Sequence, residues 1–429
     1  MSLSPGAKGW INKYFDLVNN KSITLSYDQP ENVSQETFLH AYIGETGLIF
    51  GYPTQLIFAK GVNDKYWTTD EKLKILVFEA QLLVYLLNNH DKPFEKDCFI
   101  NSLVAFYGKH DATSIKKLMS FFIKKNDIEF LESAIAKRIE IKSNVLESNL
   151  WINYINNCFI FLDIILFNDY LKKSDKPFSE NYEELALEAL GIITMAAYSD
   201  GEIEKQEEYF FKVFLASANL QDNKKDIATW RFNKGMKFKD LVGVANKNWM
   251  FKHFVLDLAT LVIMSNHDTA LEERLFLNEL LELLDFSENE LNRSIALTEQ
   301  FILNNHDKIP LLKNSSSIEK IYSSFSKRWV KILGRNKDKL AVELKQSKEL
   351  VSLIRKSTST ELTKEEKELV KTQFKDIVKS MPSLAIFMLP GGTVLLPLLV
   401  KIVPDILPSA FRDNEVEDLK QDPKKKELN

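Results

Sequence analysis

In EKLKILVFEAQLLVYLL, Glu71 to Leu87, apolar residues recur at steps of three and four: Leu73, Ile75, Leu76, Phe78, Leu82, Leu83, Leu86 and Leu87. That is the period of an α-helix with a wide apolar face, not the alternation of a half-buried strand. The same texture returns at about 113–140, 147–170, 181–199, 204–218, 249–266, 270–284 and 287–305. Gly is scarce at 14 and Pro at 12, and no series of alternating apolar runs exists from which a βαβ sheet could be built. The predicted fold class is therefore all-α. Upstream, residues 1–70 read as an irregular N-terminal region, with Gly44, Gly47, Gly51 and Pro53 scattered among short aromatic and β-branched runs. Residues 71–314 then form the helical body, 315–411 a C-terminal region and 412–429 a charged tail expected to be disordered.

A chain of 429 residues exceeds one ordinary core and predicts two or three helical units. Apolar residues make up 45% and include 29 Phe, ample material for burial. The net charge of −4 and pI of about 6.0 argue against nucleic acid as the main partner, and no specific DNA binding is expected. Cys98 and Cys158 each fall in an apolar helical pattern with no second Cys or His at ligand spacing, so both are expected to be reduced core residues. The opening MSLSPGAKGWINKYF has no apolar secretory core, which predicts a cytoplasmic body.

Three helix junctions share an Asp, three residues ending in an apolar one, and a Glu: Asp91 with Glu95, Asp200 with Glu204, and Asp268 with Glu272. LLNNHDK at 86–92 also returns as ILNNHDK at 302–308, so repeated helix pairs are expected. Two readings of the junctions are open. Asp is a preferred N-cap and first-turn acids suit the helix dipole; the same carboxylates could also converge on a hard cation, Ca²⁺ or Mg²⁺. The stretch LGIITMAAYSDGEIEKQEEYFFKVFLASANL, Leu190 to Leu220, resembles the TerB-like (tellurite-resistance) family of helical repeats. The resemblance implies that Asp200, Glu202, Glu204 and Glu207 fall on acidic, divalent-cation-binding positions. The copies at Asp91 and Asp268 lack the Gly and the second acid, and read as structural copies. Four His residues precede Asp: His90, His110, His267 and His306. A soluble HD-type metal phosphohydrolase would need further converging ligands, and Asn-His-Asp at a helix end reads more simply as a terminating sequence. With no phosphate loop, nucleophile elbow or cysteine zinc pattern, the chain is not expected to be an enzyme.

Beyond Asn314, residues 335–379 are rich in Lys and Glu with apolar positions at helical spacing (Leu340, Leu344, Leu350, Leu353 and Ile354, then Leu362, Leu369, Val370, Phe374, Ile377 and Val378), which predicts amphipathic helices. Thr363 and Glu366 fit a capping box. Then comes SMPSLAIFMLPGGTVLLPLLV, Ser380 to Val400, with no charged side chain and long enough to cross a hydrocarbon layer of about 30 Å as a helix. Pro382, Pro390, Gly391, Gly392 and Pro397 interrupt it, so a kinked helix, a re-entrant hairpin or a hairpin buried in a soluble bundle fits better than one straight span.

Lys379-x-Met-Pro382, Phe387-Met-Leu-Pro390, Leu395-Leu-Pro397-Leu-Leu-Val-Lys401, Pro404 and Leu407-Pro408-Ser409-x-Phe411 resemble the core of the LETM family, leucine-zipper and EF-hand transmembrane proteins of the mitochondrial inner membrane. The resemblance covers about Ser326 to Arg412. It implies membrane association, cation/proton exchange and a ribosome-binding region. The chain runs only 18 residues past Phe411, so attachment is expected more than ribosome binding or exchange, and exchange would need a homo-oligomer to shield polar groups from lipid. Joined to TerB-like repeats, the segment is similar to the LETM-related proteins called biofilm-associated. Lys364, Lys367, Lys371, Lys375 and Lys379 before it, against Lys401, Arg412 and Lys420 after it, place the body on the cytoplasmic side of a bacterial inner membrane. The expected function is a cation-sensing or interaction module held at the membrane by a LETM-like segment, in cation homeostasis or envelope and biofilm physiology.

Overall fold

Thr68 accepts a hydrogen bond from the Glu71 backbone N–H, and Glu71 reaches back to the Thr68 N–H at 2.8 Å. This capping box starts the helix that the Glu71–Leu87 pattern predicts, at Thr69–Asn88. The chain is known from a computed structural model that describes residues 3–31, 33–109, 127–141, 157–172, 178–199, 201, 203, 205–241, 243–265, 271–309, 318–381, 384 and 395–407. Among the described residues the fold is all-α, with no strand. The N-terminal helices are α1 (Trp10–Asn19), α2 (Gln35–Gly44) and α3 (Thr69–Asn88), followed by α4 (Lys96–Lys109), α5 (Asp127–Ile139) and α6 (Phe161–Leu171). The middle of the chain supplies α7 (Phe178–Ala197), α8 (Lys205–Ser217), α9 (Asp222–Lys234), α10 (Trp249–Ser265), α11 (Leu271–Leu284) and α12 (Glu288–Asn305). The last five are α13 (Ile318–Gly334), α14 (Lys337–Gln346), α15 (Lys348–Ser357), α16 (Lys364–Lys379) and α17 (Leu395–Ile406).

Two helices are buried on nearly every side and organise the rest. α3 packs against α2, α5 and α6, while α10 packs against α2, α6, α7, α11 and α12. Both are apolar around their circumference, as a central helix must be. The first 70 residues join this core. α1 lays Trp10, Tyr14 and Phe15 edge-on against Phe78 of α3. The short turn Leu48–Phe50 is closed by Gly51 at φ 72°, where a Cβ would strike the backbone of Asn157 and Cys158.

The echoed NNHDK sequences fold alike. Asn89 and Asn305 donate to the carbonyls of Tyr85 and Phe301 at 2.9 and 2.8 Å. His90 and His306 contact the carbonyls of Leu87 and Leu303 through Nδ1 at 3.2 and 3.0 Å, and Asp91 and Asp307 through Nε2 at 3.1 and 3.3 Å. In each copy the Asn side chain reaches back one turn to a carbonyl and the His takes up a carbonyl of the last turn, which the ending helix leaves without a partner. His90 and His306 therefore serve as helix terminators; His110 and His267 lie outside the described residues.

Candidate functional site

The C-terminal helices form a unit around α17. Thr363 caps α16, accepting from the Glu366 N–H at 3.2 Å while Glu366 accepts from the Thr363 N–H at 2.9 Å, the box that the sequence predicts. In α17 the buried residues are Leu395, Leu398, Leu399, Ile402, Val403 and Ile406, one unbroken helical stripe. It packs against α13, α14, α15 and α16, whose buried residues include Leu333, Leu340, Leu344, Leu350, Ile354 and Phe374. Pro397 sits in the first turn, where a missing N–H costs little, Pro404 lies one turn from the end, and Lys401 is exposed. Twelve residues of helix reach about 18 Å, short of a hydrocarbon layer of about 30 Å. No helix among the described residues is long and apolar enough to cross a membrane. Pro382, Pro390, Gly391, Gly392 and Pro408 lie outside the described residues.

The unit docks on the body through the packing of α13 on α12, with polar contacts on either side. Lys375 of α16 pairs at 2.7 Å with Glu45, which follows α2 and is 8% exposed in its side chain. Beside this pair runs a groove of about 490 Å³, with Lys60, Lys371 and Lys375 facing Glu45, Asp64 and Glu368. Partial desolvation, and then the neighbouring Lys375 and Lys371 ammonium groups, hold Lys60 below the ordinary lysine pKa. On the other side Arg328 of α13 donates to Asn292 at 2.6 Å and to Glu299 at 3.3 Å, both on α12. Lys327 and Lys331 of α13 and Arg335 just past its end lie at intervals of four, exposed beside a groove of about 290 Å³.

From Lys327 to Lys356 the chain carries ten Lys and Arg against three acids, although its net charge is −4. The apolar sides of α14 and α15 are turned onto α17 and that of α13 mainly onto α12, so most of this charge, Arg328 apart, faces solvent. The near-neutral composition of the whole chain hid it, but the local charge count from Lys327 onward could have revealed it.

The other residues singled out by the sequence are dispersed. Asp200, Glu202, Glu204 and Asp268 lie outside the described residues, as does the side chain of Glu272. Glu207 is buried in α8 at 1% exposure. Asp91 is exposed and contacts His90; Glu95 is exposed and accepts from Cys98 Sγ at 3.3 Å, and among the described residues they join no cluster of three metal-ligating groups. Cys158 is a buried thiol whose pKa burial pushes up to about 12. Cys98, expected in the core, is exposed: it falls in the first turn of α4, on the side away from Phe99 and Ile100.

Residues 362–429 match the family model described as LETM1-like, RBD, a ribosome-binding domain. The matched stretch holds α16, α17 and the proline-marked apolar segment, and so supports the LETM-like reading of that segment. No curated protein and no solved structure matches the chain significantly.

Proposed function

We propose that the protein is a non-catalytic interaction protein whose C-terminal unit contacts the ribosome. The observation that carries this reading is the junction of a LETM1-like ribosome-binding region at 362–429 with an outward cationic face on the same helical unit. Phosphate backbones attract such a surface through charge and counterion release, with little demand on sequence. Lys327, Lys331 and Arg335 form its regular edge, and Arg328 fixes α13 to the body behind them. Co-sedimentation with purified ribosomes tests the reading. Changing Lys327→Glu, Lys331→Glu and Arg335→Glu together should weaken binding by at least about 10-fold near 0.1 M salt and flatten the log–log salt dependence by roughly 0.7–0.9 per lost contact. Unchanged, salt-insensitive sedimentation of that variant, with helical content intact by circular dichroism, would sink it.

The uncharged run at 380–400 favours a second reading, in which the same unit attaches the protein to a bacterial inner membrane with the body on the cytoplasmic side. Its described half is spent on the bundle, so attachment through the folded unit accords with the geometry better than a span formed by α17. Neutral-pH membrane fractions should contain the protein, and alkaline carbonate should release it. Retention after carbonate would replace peripheral attachment by insertion, and absence from the neutral fraction would remove the membrane reading.

A further inference from the structure

Helix α10 presents Trp249, His253 and Asp257 at successive intervals of four, along one face near the centre of the body. His40 of α2 meets that face, with Nε2 at 2.7 Å from Asp257 Oδ2. His253 and Asp257 are wholly buried and His40 is 6% exposed. Neither ring nitrogen of His253 has a hydrogen-bond partner, and neither does Asp257 Oδ1. A buried imidazole with both nitrogens unsatisfied costs free energy unless something absent from the polypeptide meets it. One donor atom from each of the three residues lies within 4.8 Å of the other two.

We propose that His40, His253 and Asp257 bind a transition-metal dication of the Zn²⁺ class. Two imidazoles and one carboxylate suit Zn²⁺ or Fe²⁺, whereas Ca²⁺ and Mg²⁺ select sets of oxygen ligands. His253 is held in place for ligation by the rings around it. Trp249 and Phe286 pack on its faces with ring centroids 4.0 and 4.5 Å away and restrict its tilt. The cation would take the place of the direct contact between His40 Nε2 and Asp257 Oδ2. A fourth ligand has room in the adjoining cavity of about 40 Å³, lined by His40, Trp249, Glu45, Arg293 and Gln300, enough for a water. Arg293 lines that cavity and opposes a bare cation there, and the Asp257 carboxylate, as a ligand, offsets it. The site shares no residue with the acidic junction at Asp200, and it does not depend on the ribosome-binding reading.

The test uses the full chain, stripped with chelator, loaded with Zn²⁺ and desalted. One equivalent of Zn²⁺ per chain should remain, with a raised unfolding midpoint. Co²⁺ in its place should give the visible absorption of a four-coordinate site. His253→Phe, which fills the position with an apolar ring, should remain folded and lose both retention and the metal-induced midpoint shift. Asp257→Asn should weaken Zn²⁺ binding by at least about 100-fold. The double variant Asp200→Asn, Glu204→Gln should hold Zn²⁺ like the parent. Failure of the parent to retain Zn²⁺, undiminished retention by folded His253→Phe, or loss confined to the Asp200 and Glu204 variant would each overturn the assignment.

Discussion

Replacing Glu79 by leucine should destabilise the body by about 3–5 kcal/mol, the cost of leaving several buried donors without an acceptor. Glu79 lies inside α3 with no exposed surface. Its carboxylate accepts from the Tyr14 hydroxyl at 2.9 Å and from the backbone N–H groups of Ile57, Phe58 and Ala59 at 2.6, 3.1 and 2.8 Å. One side chain thus terminates a loop backbone that has no regular partner and ties α1 to α3. Leucine fills the space but removes every acceptor. Glu79→Gln keeps one oxygen and turns an amide N–H toward the remaining donors, so a loss of about 1–3 kcal/mol is expected. Urea unfolding should show lower midpoints in the order Leu, then Gln, with unchanged slopes. The loop continues into Lys60, so the groove beside α16 should loosen as well. A leucine variant within about 1 kcal/mol of the parent would show that water satisfies those N–H groups.

Glu79 also marks where the sequence stopped being informative. The period of Glu71–Leu87 announces a helix, and the all-α class follows from many such stretches, because burial on one or more faces leaves a 3.6-residue imprint. Caps within one turn are equally local, so Thr363 and Glu366 were visible in advance. α1 leaves no such trace. Gly9 before it offers no side-chain cap, and its first N–H groups are taken by Glu132 of α5, which accepts from Gly9 and Ile11 at 2.8 and 2.9 Å. α9 escaped for another reason: only Ala228 and Phe232 are buried, too narrow a face to set a period. The histidines show the same divide. Those preceding Asp drew notice through adjacency, while His40 and Asp257 meet across 217 residues and only the fold unites them.

Arg138 and Asp163 carry the second large effect. Arg138 of α5 forms a two-pronged contact with Asp163 of α6, Nη2 to Oδ1 at 2.5 Å and Nε to Oδ2 at 2.9 Å. Tyr107 of α4 donates to Asp163 at 3.3 Å and accepts from Gln81 of α3 at 2.7 Å, while the Arg138 guanidinium lies 4.3 Å from the Tyr182 ring centroid on α7. Five of the described helices, α3 to α7, therefore share one polar knot inside an apolar core. Either Arg138→Met or Asp163→Leu alone should cost about 3–5 kcal/mol, because each strands a buried opposite charge. The double variant should recover most of that loss, since two apolar chains of similar volume need no partners. A coupling energy of several kcal/mol in the urea cycle would establish the pair as one unit, and simple additivity would refute it. The recovered double variant separates stability from register: if the knot also selects how α3–α7 align, that protein should unfold at a normal midpoint but with a shallower slope, the mark of a less uniquely packed native state.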